Sequence, residues 1–594
     1  MKGLNSILFG LTAVSIVSVS WGQRALTEIP NPDPVYQQSL LKPAEGFEIS
    51  LFASDPMIAK PIAMSFDAKG RLWIATSETY PQIMPGQMPS DKIYRIEDTD
   101  GDGKADTRTV FVDNLLTPTA ILATPEGIYV GNSTELLFFE DKDDDGVADN
   151  KRVVLSGFGT EDTHHIVHTL RAGPAGRIYF NQSIYIHSYL ETPHGIRELK
   201  AGGVWRLRTE TMELDVYSRG LVNTWGLQFD QWGQTFQSDG AGSEGINYSF
   251  PGAAFRTTFG YDRMLPGLNP GQPKMSGLEI LSGRHIPEEW QGRLITCDFR
   301  GNRISSFKPV DSNSGFIAPQ QEDLITSSHG SFRPIDLQMG PDGALYVADW
   351  YNPIIQHGEV DFRDERRDRM HGRIWRITAK DRALVGKPEI KNASVSELLE
   401  HLKAPEAWTR AQAKLFLKDK GADAVARPLK NWIRSLDAND SQIDSYRLEA
   451  LWVSLSLRKP DLGLIDQLMS SSDFHARAAA VRTLEEHPER IDGVYGFLEQ
   501  ALADEHPRVR LEALHVLRAL GGVRAASLAS QVYSESMDEV LEFGLWTTMK
   551  TLAPDWQSAA VANPRLFGSD TRALLFAIRC VDQPEALEPL NVLW

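Results

Sequence analysis

The sequence predicts an all-β six-bladed β-propeller followed by an all-α solenoid. Three observations carry this. One strand–turn–strand phrase recurs six times before residue 380. From about Asn392 the apolar spacing turns helical, and similar helices repeat. A chain of 594 residues is also too long for one ordinary core, so two or more domains are expected.

The phrase is an apolar strand, a turn of the G-P-D-G type, and a second strand with an aromatic. It reads "IAMSFDAKGRLWIA", "AILATPEGIYVG", "TLRAGPAGRIYF", "GLQFDQWGQTFQS" and "DLQMGPDGALYVADW", with a weaker copy in "EEWQGRLITCDFRGNRISSF". Strand-only repeats of this length indicate four-stranded blades, whose radial closure hides most sheet edges. A β-helix would need shorter coils, and a sandwich gives no reason to repeat one phrase. The propeller is expected over 41–380. The stretch "GKPEIKNAS" reads as a junction. Over 392–594 the segments "AWTRAQAKLFL", "SYRLEALWVSL", "HARAAAVRTL", "RVRLEALHVL" and "EFGLWTTMKTL" align on Arg410, Arg447, Arg477, Arg510 and Phe543. Two-helix units at that spacing stack into a HEAT-like solenoid with a concave face for a protein partner. The apolar ending "EPLNVLW" lacks the polar cap of a solenoid, which suggests a truncated or divergent member of something longer.

The formal net charge of −18 argues against nucleic-acid binding and suits a protein that holds divalent cations. Residues 1–22 read as a signal peptide: Lys2, an apolar run from Ile7, and small Ser20 and Gly22 before a cleavage at Gln23. Secretion or a periplasmic location is expected; an uncleaved membrane anchor is the alternative. The two cysteines, Cys297 and Cys580, form no disulfide framework, and without C-x-x-C-H there is no c-type haem.

Two acidic stretches, "DTDGDGKADTRTVF" and "DKDDDGVADNKRVVL", follow the pattern D-x-D-x-D-G-x-x-D. Asp98, Asp100, Asp102 and Asp106 in the first, and Asp141, Asp143, Asp145 and Asp149 in the second, can supply oxygens to calcium, with Gly103 and Gly146 at the sharp turn. Thr109 and Arg152 stand where an EF-hand has its bidentate Glu, so these are loops between strands. Their place after late strands puts them on the rim, stapling neighbouring blades.

The residues ahead of each innermost strand should ring the channel. Counting seven back from each turn selects Lys60, Thr117, Ile166, Asn223 and Arg333, with His164, His165 and His168 beside Ile166. Cations, an amide and imidazoles around one opening suit an anionic ligand, and His165 suits a general base.

At these residues "THHIVHTLRAGPAGRIYF", "NTWGLQFDQWGQTFQSDGAG" and "FRPIDLQMGPDGALYVADWYNPIIQHG…HGRIWRITAK" resemble the membrane-bound dehydrogenase domain family of planctomycetes, verrucomicrobia and bacteroidetes. That family is similar to soluble quinoprotein glucose/sorbosone dehydrogenases, six-bladed propellers that use pyrroloquinoline quinone (PQQ) and calcium. The resemblance implies oxidation of a sugar or related alcohol, with His165 as base and Asn223 and Asp239 near the cofactor; Arg333 would supply the family's cation from another blade, and Lys60, from the channel count, is expected as a further cofactor contact. The family's catalytic arginine is replaced by Val222, and many members add a c-type haem domain that has no counterpart here. A non-enzymatic propeller binding a glycan or protein is the competing expectation.

Overall fold

The computed structural model describes residues 23–241, 244–271, 274–581 and 587–591, so the predicted signal peptide lies outside the described residues. The sheets of the first part form a six-bladed propeller. Its innermost strands are Pro61–Phe66, Pro118–Ala123, His168–Ala172, Thr224–Phe229, Met275–Ile280 and Pro334–Met339. Each packs on the next, and the sixth returns to the first. The ring is closed by the N-terminal part of the chain: Phe47–Ser54 pairs antiparallel with Arg373–Ala379 as the outer strand of blade 6. Leu41–Pro43 likewise completes blade 5.

Every blade is sandwiched between two others, so strands are buried on both faces and the alternation of a one-sided sheet is lost. The second strands Leu72–Thr76, Ile178–Gln182, Thr235–Asp239, Leu294–Asp298 and Leu345–Asp349 are buried at each residue. That double burial is why the recurring phrase is so apolar. The weak sixth copy corrects one expectation. "EEWQGRLITCDFRGNRISSF" holds the second and third strands of blade 5, Leu294–Asp298 and Arg303–Phe307. The inner strand Met275–Ile280 precedes it across a longer connection containing the short helix Glu288–Trp290.

The helical part is a two-layer solenoid. Ala407–Ser435 (broken at Gly421), Ile443–Ser456, Phe474–Thr483, Pro507–Leu520 and Glu539–Thr551 form one row. Val494–Leu502, Gly522–Ala529 and Ala553–Ala562 stack behind it. Asp461, Asp473 and Asp538 start helices by accepting from their first N–H groups. The periodic arginines have a structural role. Arg410, Arg477 and Arg510 each donate to the two carbonyls five and six residues earlier, tying each first-row helix to the turn before it.

The first row lies against one end of the propeller. Glu486 accepts from Arg177 at 2.7 Å and from Arg208 at 2.5 Å, and Glu485 pairs with Arg206 at 2.7 Å. Phe250 stacks on His515 with ring centroids 4.6 Å apart. Arg508, fully buried, donates to Ser314 and Gly315 carbonyls in the hairpin Val310–Ile317 and lies 4.0 Å from the Phe316 ring. Burial opposes ionisation of Glu486, but Arg177, Arg208 and Arg206 outweigh it and hold its carboxyl down to about 2. A depressed folded pKa adds stability that is full above the ordinary value of 4.5 and is lost as pH falls through about 2. Replacing Glu486 by Gln leaves buried arginines uncompensated. Urea denaturation at pH 7 should show Glu486→Gln destabilised by about 3–5 kcal/mol.

Candidate functional site

All six innermost strands begin at the end of the channel away from the solenoid. The residues just ahead of them are Lys60, Thr117, Val167, Asn223, Lys274 and Arg333. Val167, not Ile166, holds the blade 3 position, because the inner strand there is one residue shorter than in its neighbours. Lys60 and Thr117 sit at φ 46° and 49°, a left-handed backbone that non-glycine residues seldom adopt.

Asp162 organises the mouth at blade 3. Its Oδ1 accepts from the backbone N–H of His164 at 2.9 Å and lies 2.8 Å from His164 Nδ1. Its Oδ2 is 3.0 Å from His165 Nδ1, although that nitrogen, buried, is not aligned for a hydrogen bond. Burial works against the charge on Asp162, yet His164 and His165 overcome it and hold the carboxyl far below the usual range. Both histidines therefore serve one carboxylate and then diverge. His164 stacks on His357 at 3.7 Å and meets the edge of Tyr80, while His165 meets Tyr185. His168 is buried between Thr169, Ser183 and Trp225, and burial first, then His165, pushes its pKa to about 3. It is a neutral packing residue.

Asn223 is joined to this cluster. Ser183 donates its hydroxyl to Asn223 Oδ1 at 3.2 Å and its N–H to the His165 carbonyl. Asp239 is fully buried, and its carboxylate accepts the N–H groups of Val222, Asn223 and Ala241. It shapes the mouth loop. Asp349 does the same in blade 6 for Arg333 and Tyr351. Lys60 Nζ donates to the carbonyls of Trp350 and Tyr351, both at 2.6 Å, and lies 3.6 Å from Asp368. It clamps blade 1 to blade 6. Burial pushes its ammonium down to about 7. Arg333, also buried, bridges the Asn352 and Phe299 carbonyls.

The sequence reading missed Lys274. It occupies the blade 5 mouth position, is partly buried, and has no hydrogen bond or ion pair among the described residues. Burial and then neighbouring Arg300 lower its pKa. Arg300 and the buried Asp239 carboxylate both act on Lys274, in opposite directions. The signal lay in the sixth phrase: counting back from its second strand never reached the inner strand.

The acidic loops lie at the opposite end, between the third and fourth strands of blades 1 and 2. Carboxylate oxygens of Asp98, Asp100 and Asp106 converge, as do those of Asp141, Asp143 and Asp149. Asp102 and Asp145 stand outside these groups and accept the N–H of Lys104 and Val147. Corresponding alanines fasten the loops to the preceding blade: Ala105 N–H donates to Phe52 O at 2.8 Å, and Ala148 N–H to Phe111 O at 2.9 Å. A buried Oδ1 of Asp141 has no donor, as expected of an oxygen turned to a cation.

The profile of a domain family of unknown function, DUF7133, matches residues 37–262 and 272–381. The chain belongs to this family. A HEAT-repeat profile matches residues 462–542 behind the DUF7133 propeller. No curated protein matches. Solved structures similar in fold include an oxidoreductase described as a glucose dehydrogenase from Thermus thermophilus (18% identity, 56% of this chain and 100% of that one, TM-score 0.40). The PQQ domain of pyranose dehydrogenase from Coprinopsis cinerea is 12% identical over 57% and 97%, with TM-score 0.40. The PQQ-bound aldose sugar dehydrogenase from Streptomyces coelicolor is 14% identical over 57% and 100%, with TM-score 0.40. Among the described residues no helix is long and apolar enough to cross a membrane.

Burial, then His164, pushes His357 to about 4, below its ordinary 6.5. The unfolded chain therefore takes up this proton first, and the DUF7133 mouth loses stability as pH falls from 6.5 to about 4. Melting temperatures of wild type and His357→Phe across that range should show a shallower acid slope in the variant.

Proposed function

We propose that the channel mouth oxidises a sugar or related alcohol with PQQ, in a protein exported to the periplasm or beyond. The observation that carries this reading is one carboxylate, Asp162, set against two imidazoles at the opening, with its Oδ2 3.0 Å from His165 Nδ1. A carboxylate at Nδ1 leaves Nε2 to take a proton, and it offsets the charge the ring then gains. His165 would remove the hydroxyl proton of the substrate. The donor set also fits an anionic quinone: Lys274 and Arg300 would hold its carboxylates, and Asn223 would donate from Nδ2, since its Oδ1 is already bonded. When bound, PQQ supplies the acceptor for the hydride. Trp225 and Phe299, 6.0 Å apart, would wall the site against water.

The second reading, a non-enzymatic module for a glycan or protein, is favoured by Val222 at the family's arginine position and by the engagement of Lys60 with backbone carbonyls. Under either reading we assign structural calcium to Asp98, Asp100 and Asp106 and to Asp141, Asp143 and Asp149.

Two experiments test these assignments. Purified protein titrated with PQQ should show saturable absorbance changes, weakened about tenfold in Lys274→Met, about 1.4 kcal/mol. Dye reduction with a sugar panel should then vanish in His165→Ala while PQQ binding persists; no PQQ binding would leave the binding-module reading. Calcium should raise the melting temperature and EGTA should reverse it, because a ligand of the folded state alone stabilises that state.

A further inference from the structure

The channel mouth is covered by chain from the opposite side of the ring. The connection 350–372 joins the second and third strands of blade 6, Leu345–Asp349 and Arg373–Ala379, with no helix or strand of its own. Blade 2 makes the same connection with residues 133–134 alone. The extra length is therefore not needed to build a blade, and ordered connections this long usually serve as lids or binding loops.

This connection crosses the axis. Blades 3 and 6 stand opposite each other in a ring of six, yet His357 stacks on His164 at the blade 3 mouth, with ring centroids 3.7 Å apart. Phe362 makes a second ring contact with His164 at 5.7 Å. Arg363 Nε donates to Met84 Sδ at 2.8 Å, in the blade 1 connection 77–90. That connection reaches blade 3 as well, where the Thr163 hydroxyl donates to the Pro81 carbonyl at 2.8 Å. His165 and Asn223, in the same cluster as His164, are buried.

The loop is bound to itself, so it can move as one piece. Arg367, buried, donates to the carbonyls of Gln356, Val360 and Asp361. Asn352 Nδ2 donates to the Asp368 carbonyl at 3.1 Å and closes the base. The N-terminal segment then holds the loop down. Gln23 Oε1 accepts the N–H groups of Ile355 and Gln356 at 2.7 and 2.8 Å, and Arg24 Nε donates to the Glu359 carbonyl at 3.0 Å. In return Arg366 Nη1 donates to the Arg24 and Leu26 carbonyls at 2.9 and 2.7 Å. Further along, the Pro30 carbonyl accepts from the Tyr351 hydroxyl at 3.0 Å.

We propose that residues 352–371 are a lid over the channel mouth and that residues 23–32 are the strap that keeps it shut. Gln23 and Arg24 are not buried, so water competes for their bonds and the clasp belongs to the weakly held part of the molecule. A ligand of the mouth enters when the strap lets go. The inference does not rest on the quinone reading, because the lid covers the mouth whatever the mouth binds.

Hydrogen exchange of the full-length protein, without ligand, tests this. Gln23→Ala combined with Arg24→Ala removes the side-chain grips of the strap and touches no residue of the mouth cluster. Amides of 353–369 should then exchange about tenfold faster than in wild type, because exchange follows local opening. Amides of 160–168, under His357, should follow, while those of the acidic loops at the opposite end should not change. Unchanged exchange at 353–369 overturns the strap. A rise there with 160–168 unmoved means the lid does not cover the mouth, and a rise spread through all six blades means general loosening; either overturns the proposal.

Discussion

Ring closure is the constraint on which the molecule depends. A propeller has no hydrophobic core of its own at the axis; its blades are stable because each is covered on both sides. One missing outer strand would uncover a sheet edge and loosen a blade next to the channel. Here the covering strand, Phe47–Ser54, comes from the N-terminal part of the described residues and pairs with Arg373–Ala379. The segment before it is drawn across the mouth: Gln37 donates to Asp349, and the Pro32 and Asn31 carbonyls bond Arg373 and His329. The closing strand and the architecture of the mouth are thus one assembly.

The two ends of the channel have different chemistry. At the mouth, the backbone N–H groups of Asn223 and Arg333 are met by the carboxylates of Asp239 and Asp349, and the loops they hold carry the candidate site residues. At the far end, the solenoid brings Glu485, Glu486 and Glu512 to arginines of the propeller or of its own first row, and the acidic loops sit beside it, Asp144 reaching Lys391 of the connecting segment. Part of the first row of helices, His515 of Pro507–Leu520 included, is covered by the protein's own first domain.

The propeller was legible because double burial makes each blade repeat the same apolar phrase, and the solenoid because similar helices with an arginine recur every 30–37 residues. Legibility failed where a local insertion broke the rhythm. The long connection before Leu294 hid Met275–Ile280 and with it Lys274. The site was legible as a location more than as a set of contacts. His165 and Asn223 are brought together through Ser183, but nothing in the sequence shows that Lys60 reaches two carbonyls of another blade, or that Asp239 serves the backbone. Those roles depend on pairings across hundreds of residues. The acidic loops were readable in spacing, while their attachment through Ala105 and Ala148 involves main-chain atoms that carry no residue signature.

The buried arginines under the solenoid bear on how the chain can be divided. Arg206 and Arg208 point from blade 3 to Glu485 and Glu486 of the helical part, and Phe250 beyond blade 4 stacks on His515. A propeller cut off at the junction would expose Arg206, Arg208 and Phe250, which the whole chain keeps buried. Such a surface attracts polyanions and self-associates. The boundary visible in the sequence is therefore a change of architecture within a single folding and expression unit.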